Sequence, residues 1–274
     1  MKLSILIILL LASSCVLPAL GENSTADSWM AKAYQSYISK NYEDAISSYD
    51  QAINLTPDNA KAWNDKGLAY SFGLGQNEKA ITCYDKAISL SPRYADALSN
   101  RGYALSALGK YDQAMADFNK SIEIDPNLKE AWNFRGLARS VGYGQTEAAL
   151  ADFNNALSID SSYKEAWANK GYTLAMDGQY EDAISCFERV IDLDPSNAKA
   201  WNNKGLALYG LERYDEAIEC YNRALKIDPS YDIAKKNKEL ATGESGSASA
   251  SSWESRPSGA PNWEDWSSGS SQIP

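Results

Sequence analysis

The sequence contains no histidine among its 274 residues. Histidine is the most frequent general base and metal ligand in proteins, so its absence argues against acid–base catalysis and against a metal site. Positive charge is also scarce, because 26 Lys and Arg residues face 36 Asp and Glu residues and leave a net charge of −10. Binding to a phosphate backbone requires a basic surface, so we expect no nucleic-acid partner.

Long apolar runs are missing except at the N-terminus, where Lys2 precedes the apolar stretch from Leu3 to Ala12. This stretch is typical of an export signal and is short for a membrane span. Three endings remain open: Leu11–Cys15 resembles a lipobox that would lipidate Cys15, Ala19–Gly21 resembles a cleavage site, and an uncleaved leader would be an anchor. Each predicts an exported protein, either a cell-surface lipoprotein or a secreted one, that meets the membrane only through its leader or lipid.

One pattern of 34 residues dominates the rest of the chain and is clearest from Ala198 to Tyr231. Its recurring residues are Trp201, Gly205, Leu208, Tyr214, Ala217, Tyr221, Ala224 and Pro229. The apolar spacing predicts two antiparallel amphipathic helices, and Pro229 ends the second. Because one such hairpin leaves an apolar outer face, neighbouring copies are expected to stack into a solenoid.

Six copies follow one another without a gap. They are residues 26–59, 60–94, 95–128, 129–163, 164–197 and 198–231. The pattern resembles the tetratricopeptide repeat, W-x2-L-G-x2-Y, then A-x3-F, then P, in an exported prokaryotic form. The resemblance implies an all-α, right-handed superhelical solenoid of helix-turn-helix repeats with a C-terminal capping helix.

The remaining segments are assigned by composition. Residues 1–21 are the leader, 22–25 a spacer, 232–241 the capping helix and 242–274 a disordered tail rich in Ser, Gly and Trp. Repeats two and four each carry one extra residue, in SFGLGQNEKA and SVGYGQTEAA, which is most simply explained by duplication of a two-repeat block. The glycine pairs Gly73/Gly75 and Gly142/Gly144 are expected to permit the wider turns.

The resemblance also implies a binding surface, because the first helix of each repeat lines the concave face in this family. Asparagines at repeat positions 5 and 6 could pair with a peptide backbone, and the tyrosines of position 9 supply apolar contact area. The candidate groove residues are Asn64, Asn100, Tyr103, Asn133, Asn169, Tyr172, Asn202 and Asn203. These asparagines could equally be ordinary solvated helix residues.

Two further repeat positions carry unusual residues. Position 7 is basic in five repeats, at Lys66, Arg101, Arg135, Lys170 and Lys204. Either the stems cover the helix packing while the charges reach carboxylates of the neighbouring repeat, or the charges form a ridge for acidic ligands. Three of the four cysteines share one position of the second helix, too far apart for disulfides, and they are expected to be free thiols. They are Cys83, Cys186 and Cys220.

The tail contains an acidic-aromatic motif, Trp263-Glu264-Asp265-Trp266. It is similar to the tryptophan-acidic peptides that tetratricopeptide grooves of kinesin light chains accept. The motif is either a docking segment, for this groove or another protein, or part of a solubilising tail.

These features predict a protein–protein interaction scaffold that binds a peptide or partner helix, with no enzyme activity, no cofactor and no metal. No segment outside the repeats is long enough for a catalytic domain. The alternative is a structural envelope component that self-associates through its repeat ends or its Trp-acidic tail.

Overall fold

The computed structural model describes residues 25–246, which form thirteen α-helices in antiparallel pairs. Each repeat contributes a first and a second helix, and a thirteenth helix follows. The helices are α1 Ala26–Ile38, α2 Tyr42–Leu55, α3 Ala60–Leu68, α4 Asn77–Leu90, α5 Ala95–Ala107, α6 Tyr111–Ile124, α7 Lys129–Tyr143, α8 Thr146–Ile159, α9 Lys164–Met176, α10 Tyr180–Leu193, α11 Ala198–Gly210, α12 Tyr214–Ile227 and α13 Asp232–Gly246. The predicted all-α solenoid is confirmed. Helix α13 continues to residue 246, whereas the sequence predicted the tail to begin at residue 242.

The two helices of a repeat pack a small residue against a ring. A Cβ atom built on Gly67 would lie 2.5 Å from the ring of Tyr84, so only glycine fits there. Gly205 stands against Tyr221 in the same way, at 2.6 Å. Both tyrosines are fully buried. The recurring glycine and the recurring aromatic residue of the pattern therefore contact each other.

Consecutive repeats are joined by the tryptophan of the first helix. The indole Nε1 of Trp63 donates a hydrogen bond of 3.0 Å to the backbone carbonyl of Pro57, at the end of the preceding repeat. Trp167 makes the same bond, also 3.0 Å, to Ser161. Because the acceptor is a backbone carbonyl, serine replaces proline at position 161 without loss of this bond.

The turn inside every repeat contains one residue in the left-handed region. The six residues with positive φ are Lys40, Gly75, Gly109, Gly144, Gly178 and Glu212. Repeat two accommodates its extra residue in a π-helical segment, Ala69–Gly73, that continues α3. Repeat four accommodates it by extending α7 to 15 residues.

The prediction that both glycines of each pair widen the turn is wrong for Gly73 and Gly142. A Cβ on Gly73 would lie 2.5 Å from the ring of Tyr42, and one on Gly142 would lie 2.7 Å from Tyr111. These glycines receive a tyrosine from the preceding repeat. The contact recurs at Gly210, where a Cβ would lie 2.7 Å from the ring of Tyr180, so in the described repeats it always joins an odd repeat to the next even one.

The first helices form the inner side of the solenoid. Helices α5, α7, α9, α11 and α13 contact one another in succession, whereas successive second helices make no comparable contact in the described part of the chain. The first helices are therefore closer together, as the concave side of a curved array requires. None of the described helices combines the length and the apolar character that crossing a membrane requires.

Candidate functional site

A row of tyrosine and leucine side chains runs along the first helices at repeat position 9. The row consists of Tyr34, Leu68, Tyr103, Leu137, Tyr172 and Leu206. Tyr34 is 44% exposed and the other five are half-buried. Burial raises the pKa of Tyr172 above its usual value, so it is a neutral phenol at physiological pH. The row gives the concave side a partly exposed apolar stripe, and we call it the position-9 row.

Three aromatic rings pack against one another on this side. The centroids of Phe72 and Tyr103 are 4.5 Å apart, and those of Tyr103 and Phe134 are 4.9 Å apart. The rings come from three consecutive repeats, which links those repeats directly. The repeat pattern indicated Tyr103 but not Phe72 or Phe134. An aromatic residue recurring every 31 positions was the available signal.

The predicted groove asparagines are buried and bonded to each other. Nδ2 of Asn100 donates to Oδ1 of Asn64 at 3.0 Å, and Asn169 donates to Asn133 at 3.0 Å. Nδ2 of Asn202 donates to Asn203, whose side chain is on the same helix, at 3.2 Å. The six asparagines expose at most 9% of their surface. The first two bonds join the first helices of neighbouring repeats, and contact of these asparagines with a peptide stays a prediction.

The asparagine bonds between repeats have a regular direction. They lead from an even repeat to the following odd one, whereas the tyrosine–glycine contacts lead from an odd repeat to the following even one. The two kinds of interface alternate along the solenoid. This alternation supports the interpretation that the array arose from a two-repeat block.

The basic residues of position 7 hold neighbouring repeats together, and three of the five reach a carboxylate of the preceding repeat as predicted, whereas two reach an asparagine. Each bonds to the side chain 16 residues earlier, on the second helix of the preceding repeat. The partners are Asp50, Asp85, Asn119, Asn154 and Glu188, in chain order. Lys32 occupies position 7 of repeat one and was missed; its ammonium lies 4.8 Å from the ring centroid of Trp29.

Arg101 illustrates how strongly these cations are engaged. Its Nε and Nη2 donate to the two oxygens of Asp117, at 2.7 and 2.6 Å, while Nη1 bonds to Asp85 at 2.7 Å. The hydrogen bond with Asp117 raises the pKa of Arg101 further above its usual value. Lys66, Arg101, Arg135 and Lys204 are paired with carboxylates within the solenoid, and Lys170 bonds to the amide of Asn154, so a ridge for acidic ligands finds little support in the described residues.

The other predicted residues carry no site chemistry in the described range. Cys83, Cys186 and Cys220 are free and buried, and burial raises the pKa of each thiol to about 11. No group of three His, Cys, Asp or Glu side chains between residues 25 and 246 is placed to hold a metal ion. Cys15 and the motif Trp263, Glu264, Asp265 and Trp266 lie outside the described residues.

The fold and these contacts define the class of the protein, which is a repeat solenoid made of stacked helical hairpins. Two sequence profiles match the chain: "Tetratricopeptide repeat" at residues 95–128 and 198–231, and "TPR repeat" at 33–71, 72–109 and 174–212. Together these matches cover more than half of the chain. The chain belongs to the tetratricopeptide repeat family, whose fold is generally a protein-interaction scaffold and generally non-enzymatic.

Solved structures agree with this assignment. The Cut9–Hcn1 hetero-tetramer of the APC/C matches with a TM-score of 0.74 and 18% identity over 81% of this chain, which spans only 44% of that chain. PilW, a type IV pilus biogenesis factor, matches with a TM-score of 0.69 and 22% identity over 77% of this chain and 97% of its own.

A third structure is more similar in sequence. YrrB, a TPR protein with an unusual peptide-binding site, is 26% identical, with a TM-score of 0.51 over 70% of this chain and 98% of its own. A search of the curated proteins found no match.

Proposed function

We propose that the protein is an exported scaffold or adaptor that binds a peptide segment or partner helix along its concave face. The observation that carries the proposal is the position-9 row, an apolar stripe that stays partly exposed while the polar side chains around it bond to each other. Tyrosine and leucine offer large contact area for a partner at low cost in side-chain entropy.

The interlocked repeats make this surface rigid before any partner arrives. Indole-to-carbonyl bonds, asparagine pairs and position-7 ion pairs each fix one repeat against the next. A preformed groove orders few groups on binding, so more of the contact energy appears as affinity. The peptide-binding site ascribed to YrrB supports the same use of the fold.

The location outside the cytoplasm rests on the leader sequence. Lys2 and the apolar run from Leu3 to Ala12 are typical of export, and Cys15 is placed for lipidation. An envelope fraction is therefore where a partner is to be sought.

The test is affinity capture from the native host's envelope fraction. The bait would be the protein itself, a Tyr103→Ala/Tyr172→Ala variant, and a control variant, Ile159→Ala/Ile227→Ala. The control truncates apolar side chains on second helices, where Ile159 and Ile227 are each 38% exposed. A partner kept by the protein and the control but lost by the tyrosine variant supports the proposal. Equal capture by all three baits contradicts it.

A structural component that self-associates remains the second candidate, and one observation bears on it. Helix α13 covers the end of repeat six, where Asn237 bonds to Asn202 at 2.8 Å. End-to-end stacking would have to displace this helix. Sedimentation at increasing protein concentration distinguishes the candidates. A self-associating component should form oligomers that deletion of residues 247–274 abolishes, whereas the scaffold proposal expects no such oligomers.

A further inference from the structure

The concave side carries a second row, of carboxylates, beside the apolar one. Asp96, Glu130 and Glu165 occupy repeat position 2 in the first turns of α5, α7 and α9. None of the three has an ion-pair partner within 4.0 Å among the described residues. An acidic residue in the first turn of a helix is favourable in itself, so the row alone does not define a site.

The two rows face the same groove. Tyr103, Leu137 and Tyr172 follow Asp96, Glu130 and Glu165 by seven residues each, which is two helical turns on one face. The rise of an α-helix puts the rows about 10 Å apart. A segment lying across the three helices would meet apolar side chains along one edge and carboxylates along the other.

The lysines that precede Glu130 and Glu165 make their ion pairs with other carboxylates. Nζ of Lys129 bonds to Asp160 at 2.6 Å, and Nζ of Lys164 bonds to Asp194 at 3.1 Å. Burial raises the pKa of Glu130, the charge of Lys129 lowers it in part, and Asp96 and Asp160 raise it further. The carboxylate of Glu130 is thus half-buried beside two other carboxylates and only partly compensated by Lys129, so a cation from a partner would be attracted.

We infer that this groove binds a partner protein through a basic and apolar segment that crosses repeats three to five. The inference rests on the proposed function and names the chemistry of the partner. The site is limited to these repeats because Lys61 and Lys199 replace the carboxylate in repeats two and six. With first helices about 10 Å apart and about 3.3 Å per extended residue, a basic side chain every third residue matches the row.

The same charges disfavour other occupants. The tail motif contains Glu264 and Asp265, which the carboxylate row repels, so docking of the chain's own tail into this part of the groove is not expected. A phosphate backbone is repelled for the same reason.

The test selects binders for the full chain from a phage-displayed library of random twelve-residue peptides. Selected peptides are then synthesised and their affinity is measured by fluorescence anisotropy. The test variant is Asp96→Asn/Glu130→Gln/Glu165→Gln. The control variant, Glu78→Gln/Glu123→Gln/Glu147→Gln, changes the net charge equally at exposed sites on second helices. Circular dichroism establishes that each variant is folded, and the single Glu130→Gln variant serves if the triple variant is not.

We expect the selected peptides to be basic and apolar. Loss of three partly screened ion pairs should weaken the affinity of the test variant about tenfold, whereas the affinity of the control variant should fall less than about twofold. Equal weakening in both variants would overturn the inference, because it would show attraction to net charge alone. Neutral or acidic peptides that lose binding with Tyr103→Ala/Tyr172→Ala would overturn the inference and leave the proposed function standing. Peptides insensitive to every groove substitution would contradict both.

Discussion

Nδ2 of Asn237 in the last helix donates a hydrogen bond of 2.8 Å to Oδ1 of Asn202 in the first helix of repeat six. The same bond joins Asn100 to Asn64, at 3.0 Å. Helix α13 therefore takes the place that the first helix of a seventh, odd repeat would occupy. The interface between repeat six and helix α13 is therefore of the same kind as the interface between repeats two and three.

The asparagine pairs are predicted to stabilise the stacking of repeats. The Asn202→Ala substitution should lower the free energy of unfolding by about 1–3 kcal/mol, because it removes a buried amide and leaves its partners unsatisfied. Asn237→Ala should cost less, since Asn237 is only half-buried. Urea unfolding followed by circular dichroism measures both. The exposed Asn222→Ala variant is the control, and an equal cost there would contradict a specific role for the pair.

The buried carboxylate of Asp117 is predicted to depend on Arg101. Asp117 is 6% exposed, so the Arg101→Met substitution leaves a buried charge without its partner and should cost about 3–5 kcal/mol. The Arg101→Met/Asp117→Leu double variant should recover much of this loss, because no unpaired charge remains. Lys235→Met, which breaks an exposed pair with Asp232, should cost less than about 1 kcal/mol. A double variant no more stable than Arg101→Met would refute this assignment.

Two core tyrosines carry hydroxyl groups without a partner. The hydroxyls of Tyr84 and Tyr221 are buried and make no hydrogen bond, while phenylalanine occupies the equivalent position at Phe118, Phe153 and Phe187. Tyr84→Phe and Tyr221→Phe should each raise the free energy of unfolding by about 1 kcal/mol, because an unsatisfied polar group is removed. Tyr49→Phe should be nearly neutral. Destabilisation by either of the first two, measured in urea, would show that the hydroxyl has a partner.

The ion pair between Lys129 and Asp160, within repeat four, is predicted to resist acid. The hydrogen bond from Lys129 lowers the pKa of Asp160 to about 2. Because the folded value lies below the unfolded one, the pair contributes stability above about pH 4 and loses it as the pH falls towards 2. The side chains are about 30% exposed, so screening limits the contribution to about 1 kcal/mol.

The Asp160 titration can be followed directly by NMR of its carboxyl carbon. In the Lys129→Met variant the pKa of Asp160 should rise towards its ordinary value, although Ser162 still donates to this carboxylate. An unchanged pKa would show that Lys129 does not hold the carboxylate in solution.

The stacking fold was predictable because its residues act through backbone geometry and volume. A glycine opposite a buried ring, as at Gly67 and Tyr84, indicates that two helices pack closely there. A proline after a helical pattern indicates that the helix ends. The amides were harder to place. The residue type and helical spacing of Asn100 and Asn169 are the same whether their side chains face solvent or a neighbouring helix. Only the folded array of repeats shows that they face a neighbouring helix. The roles of Gly73 and Gly75 were confused because glycine serves close packing and left-handed turns equally well.

The central claim is that a partner lies on the first helices. Photo-cross-linking in the native host, with p-benzoylphenylalanine at position 172 or at position 227, tests it most directly. Tyr172 lies in the position-9 row, and Ile227 is exposed at the end of a second helix. We predict a cross-linked partner from position 172 and none from position 227. A partner cross-linked only from position 227 would contradict the concave-face account.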